Sequence, residues 1–138
     1  MNDAPDGPGA PIPADVVPRL TEAAARAAAW QADPKPRSAA AVATTRNKAL
    51  EVLAAYGPQT IPGEAGAVPV YAVVMTGRFT SPRTGPPTRN RPVPRPITGS
   101  CLLVVVEAAT LAVRDMGVRQ WNPQTALPRL GPVTRLTW

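Results

Sequence analysis

SAAAVATTRNKALEVLAAYGP, residues 38–58, is the stretch whose reading decides the fold. Ser38 has the side chain of a helix N-cap, Gly57 stands where a helix commonly closes, and Pro58 cannot continue one. Between them Val42, Ala49, Val52, Leu53 and Tyr56 supply an apolar side. The pattern therefore predicts a helix over residues 39–56. Arg46, Lys48 and Glu51 fall on its opposite, solvated face, and Val52, Leu53 and Tyr56 read as core rather than as a cofactor site.

Downstream, residues 57–67 read as loop, and residues 68–76, VPVYAVVMT, read as a strand because β-branched and aromatic side chains dominate both faces. Pro69 belongs at its beginning or on an edge. Residues 101–107, CLLVVVE, are apolar almost throughout and form a second, buried strand. A third spans residues 111–117 and returns through Ala108, Ala109 and Thr110 as an antiparallel hairpin. Residues 80–98, with Pro82, Pro86, Pro87, Pro92, Pro94 and Pro96, read as a long basic loop without a regular ladder.

Upstream, Asp15 is a capping residue, Pro18 is tolerated in a first turn, and Leu20, Ala23, Ala27 and Trp30 share a face, so a short helix is expected to end near Ala32. Residues 1–14 hold Pro5, Pro8, Pro11 and Pro13 and read as a disordered, polyproline-type arm. Residues 119–138 read as an extended tail laid over the sheet or against a partner. The expected fold class is α+β. One or two N-terminal helices pack in two layers on a small antiparallel sheet of about three strands, within a domain of residues 15–118 flanked by Pro-rich segments.

With 138 residues the chain has room for one small domain. Pro and Gly account for 29 residues, which places a sizeable fraction outside any packed unit. There is no His and one Cys, so Ser-His-Asp and Cys-His pairs, ordinary zinc sites and an intramolecular disulfide are excluded. The nine carboxylates are scattered and follow no calcium-loop spacing. These absences point away from an enzyme, and no catalytic, metal or cofactor residue is assigned. Cys101 reads as a small core hydrophobe, and Trp30, Trp121 and Trp138 as packing residues. No stretch approaches the roughly 20 apolar residues that cross a bilayer. The start, MNDAP, lacks both the basic and the apolar regions of a secretory signal, so the chain as written is expected in the cytoplasm.

The hairpin residues Val106, Glu107, Ala108, Thr110 and Val113 carry a resemblance. Over residues 45–118 the chain resembles a PepSY-type, cystatin-like domain, whose last hairpin commonly reads Val-Asp-Ala-Xaa-Thr-Gly-Xaa-Val. Here Glu107 stands for the Asp and Leu111 for the turn Gly. The resemblance implies a helix on a small antiparallel sheet and a noncatalytic module that binds or restrains a partner protein. It also implies an exported or cell-envelope location, and it brings no catalytic residue.

The net charge of +6 sits in the C-terminal part, with no acidic residue anywhere in 65–106. Thirteen of the fifteen basic residues are Arg, a bias that also fits a GC-rich bacterial genome. Arg78, Arg83, Arg89, Arg91 and Arg95, together with the terminal Trp138, are the candidate partner-binding residues. The first reading is a noncatalytic protein-binding module acting through an exposed sheet edge and the Arg/Pro-rich loop. The alternative is an accessory nucleic-acid-binding protein whose loop arginines touch phosphates. The loop has no aromatic residue to stack on bases, and that alternative demands a steep salt dependence.

Overall fold

A computed structural model describes residues 9–30, 36–53, 67–81, 97–119 and 123–137. In chain order the elements are α1 (Val17–Trp30), β1 (Ser38–Thr45), α2 (Arg46–Leu53), β2 (Pro69–Ser81), β3 (Ile97–Glu107), β4 (Val113–Arg119), a 3₁₀ helix (Pro123–Arg129) and β5 (Thr134–Leu136). The strands form one sheet in the order β4-β3-β2-β1-β5, with every neighbouring pair antiparallel. The α+β class is thus present, but with five strands where about three were expected.

The two additional strands come from segments read otherwise. Residues 39–45, expected as helix, are strand β1, which pairs along its whole length with β2 from Ser38 opposite Thr76 to Thr45 opposite Pro69. Its other side holds β5, with Ala39, Ala40 and Ala41 facing Leu136, Arg135 and Thr134. Alanine is the best helix former, yet its preference is a few tenths of a kcal/mol per residue and yields to ladders made on both sides. The helix starts seven residues later than the Ser38 cap implied. Thr45 Oγ1 accepts a hydrogen bond from the Lys48 amide at 3.4 Å, which places the cap at Thr45. Arg46–Leu53 is helical as expected, and the proposed end at Tyr56 and Gly57 lies outside the described residues.

The meander of β2, β3 and β4 follows the expected order. The β2 strand begins at Pro69, where the missing amide of proline is harmless. The β2 and β3 strands run further than expected into the Pro-rich segment, with Phe79 opposite Gly99, Thr80 opposite Thr98 and Ser81 opposite Ile97. Prolines begin only at Pro82, so residues 80–81 and 97–98 remain free to pair, while residues 82–96 lie outside the described residues. A register shift between Thr76 and Phe79 sets Gly77 and Arg78 against Ser100 alone.

The sheet is covered on both faces, so the domain has three layers where two were expected. On one face Leu20, Ala24, Ala27 and Ala28 of α1 pack with Tyr71, Val73, Met75, Leu102, Val104 and Val106. On the other, Ala49 of α2 and Leu127 of the 3₁₀ helix pack with Val42, Val70, Ala72, Val74, Leu103 and Val105. This double burial explains why β2 and β3 are apolar without alternation. Leu127 is fully buried and anchors the 3₁₀ helix to this face.

Three further placements depart from the sequence reading. Within the segment expected as a disordered arm, Ile12 is buried and the Gly9 amide donates to the Ala43 carbonyl at 2.9 Å, so residues 9–12 are fastened to the far part of β1. The expected extended tail contains the 3₁₀ helix before its short strand. Trp30 was expected on the buried face of α1 but is 69% exposed, because Leu20, Ala23, Ala24, Ala27 and Ala28 already fill that face.

Candidate functional site

Of the partner-binding residues expected from the sequence, Arg78 lies in the register shift of β2 and is exposed. Arg83, Arg89, Arg91, Arg95 and Trp138 lie outside the described residues. Arg37 stands at the same end of the sheet, where its amide donates to the Thr76 carbonyl at 2.7 Å. The described residues therefore bring two exposed arginines to the end of the sheet from which the basic segment leaves.

The more developed feature is a cleft of about 390 Å³ beside β5, lined by Ser38, Ala40, Gln124, Pro128, Val133 and Arg135, among others. It exists because the 3₁₀ helix covers this face only in part and because β1 offers alanines, whose small side chains leave space. The cleft wall carries a fixed polar group. Ser38 Oγ lies 2.6 Å from Thr76 Oγ1 and accepts a hydrogen bond from Gln124 Nε2 at 3.0 Å. The same amide nitrogen donates to the Val74 carbonyl at 3.2 Å. This ties the first turn of the 3₁₀ helix to β1 and β2 at once. Ser38 was expected to cap a helix; it holds the cleft together instead.

The row of the sheet that contains Ser38 and Thr76 continues to Cys101 and Arg119. Cys101 is buried as expected, and burial pushes its thiol above the ordinary value despite an opposing hydrogen bond with Ser100. A thiol held protonated is a poor nucleophile. No base stands beside the Ser38 hydroxyl, which is bonded only to Thr76 and Gln124 among the described residues. The arrangement is suited to holding a ligand by shape, backbone groups and charge. Among the described residues there is no group of three side chains able to hold a metal ion, and no helix is long and apolar enough to cross a membrane.

The sheet has two edges among the described residues, β4 and β5, and the β5 edge adjoins this cleft. Among the described residues β5 pairs only with β1, so its outer side faces no strand. Arg135 and Val133 are exposed there, Val133 at 40%. A second groove, of about 470 Å³, lies between α1 and Thr137, the residue after β5, and is lined by Val17, Pro18, Thr21, Glu22 and Ala25. Sequence reasoning missed Gln124 and Arg135, because nothing local marks a 20-residue Pro-containing tail as the source of an edge strand. No family model, no curated protein and no solved structure matches the chain.

Proposed function

We propose that the chain is a noncatalytic protein-binding module that meets its partner through the free edge of β5 and the cationic end of its sheet. One observation carries this reading: both faces of the sheet are occupied by this chain's own helices, while the β5 edge faces no other strand among the described residues. An open strand edge invites another backbone, and proteins use such edges to add a strand from a partner. The surplus of arginines, with Arg37, Arg78, Arg129 and Arg135 all exposed, favours an acidic partner. The resemblance of the β3–β4 hairpin to PepSY-type domains supports the same kind of role.

Affinity capture with the intact chain from extract of its own cells at physiological salt tests this reading. A defined protein should be enriched, and a version in which a short Gly-Ser linker replaces residues 82–96, which leaves the β2–β3 ladder intact, should capture less of it. Recovery of nucleic acid alone, with affinity falling by a log–log salt slope of up to about −0.9 per duplex phosphate contacted, would replace the reading with phosphate binding.

A further inference from the structure

We infer that the β5 edge takes an extended acidic peptide, which adds a strand beside Thr134–Leu136 and sets a carboxylate on Arg135. This rests on the protein-binding reading and gives it an address and a ligand chemistry. Side chains of an added strand alternate between the two faces of the sheet, and a cleft and a groove lie near this edge. Next to Arg135 is the cleft with Val133 and Pro128; next to Thr137, which follows β5, is the groove with Val17, Pro18, Thr21, Ala25 and the exposed Glu22, whose charge disfavours acidic side chains on that face. The peptide should therefore alternate acidic with small apolar residues.

Charge selects this occupant over others. The two segments that build the cleft, residues 36–45 and 123–137, contain no acidic residue and carry exposed Arg37, Arg129 and Arg135. A second copy of the chain, pairing its own β5 antiparallel about a two-fold axis through Arg135, would set the two Arg135 side chains opposite each other, an unfavourable pairing of like charges. Nucleic acid lacks the backbone amides that a strand edge matches, and among the described residues no aromatic side chain lines the cleft to stack on a base.

The test uses the ¹⁵N-labelled full chain titrated with an acetylated, amidated octapeptide that alternates Glu with Val and Thr. Amide resonances of residues 134–137 and the Gln124 side-chain amide should shift. The Glu peptide should bind at least about tenfold more tightly than its Lys counterpart, a ratio of the size one charge pair commonly gives. N-methylation of alternate peptide amides should abolish binding, and Arg135→Glu, an exposed substitution that leaves the core intact, should reverse the preference. Unmoved resonances at residues 134–137, equal binding of the N-methylated or Lys peptide, or self-association through β5 would each overturn the inference. Capture of a protein that is unaffected by Arg135→Glu would overturn this address yet leave the protein-binding reading standing. Failure of capture with an intact peptide response would do the reverse.

Discussion

Arg46 and Asp115, 69 residues apart, are joined by two parallel hydrogen bonds, Nε to Oδ2 at 2.8 Å and Nη2 to Oδ1 at 2.9 Å. Arg46 opens α2 and Asp115 lies on β4, so the fork fastens the helix on one face to the strand farthest from β1 and β5. Both side chains are about a quarter exposed. A cation in the first turn of a helix opposes the helix dipole, so Asp115 also neutralises a charge that would otherwise be unfavourable there. The bond to Asp115 pushes the guanidinium further above its ordinary value, with burial opposing, so Arg46 remains charged at every pH the fold experiences.

Asp115→Ala should therefore cost more than Arg46→Met, because it leaves a cation at a helix N-terminus, whereas the reverse change leaves a carboxylate with access to water. We expect a loss of about 1–2 kcal/mol for the first and about half that for the second, measured by urea unfolding. Arg46→Lys should lose about as much as Arg46→Met, since a single ammonium cannot reproduce the fork. Equal costs for Asp115→Ala and Arg46→Met would argue against the dipole contribution.

Leu111 adopts φ +61°, the left-handed conformation that Gly enters most readily. Its amide donates to the Glu107 carbonyl at 2.7 Å, and its side chain packs against the α1-side core. Leu111→Gly trades that packing for relief of about 1–2 kcal/mol of backbone strain, so its net effect should lie within about 1 kcal/mol of zero. Leu111→Val keeps an apolar side chain but is β-branched in a region such residues avoid, and it should be the more destabilising of the two. Thermal unfolding of both variants checks the order; the opposite order would show that packing governs this turn.

Burial holds the Cys101 thiol above its ordinary value. Since the folded value exceeds the unfolded one, the thiol's contribution to stability is complete below the unfolded value of about 8.5 and is lost as pH rises from there through the folded value. Stability measured at pH 7, 8.5 and 10 should fall over the alkaline interval, and Cys101→Ala should lack that portion of the fall. An aromatic disulfide reagent at pH 7.5 should react far more slowly with the native chain than with the chain in denaturant.

Gly131 has φ +154°, and a Cβ placed on it would stand 3.1 Å from the Gly9 Cα. Gly9 in turn is bonded to Ala43. Gly131→Ala should strain its own backbone and push the N-terminal segment off β1, at a cost of more than about 1 kcal/mol. Hydrogen exchange at the Gly9 amide should accelerate in the variant beyond what the global loss of stability predicts; unchanged exchange there would mean that Gly9 is held independently of Gly131.

Much of the fold was legible in the chain. The apolar runs 68–76 and 101–107 are short and rich in β-branched valine, which favours strand over buried helix, so β2, β3 and the β3–β4 hairpin were legible. The helix around Leu20, Ala23 and Ala27 follows from spacing, and the lack of His excludes the commonest catalytic pairs whatever the fold. Tertiary structure alone decided the fate of Ser38–Thr45. Alanine fits a helix or a tightly packed strand with little difference in local free energy, and the choice fell to partners at Pro69–Thr76 and Thr134–Leu136 that no local pattern reveals. The same non-local pairing made the cleft: Ser38, Gln124 and Arg135 are far apart in the chain, and only the strand that joins β1 brings them together.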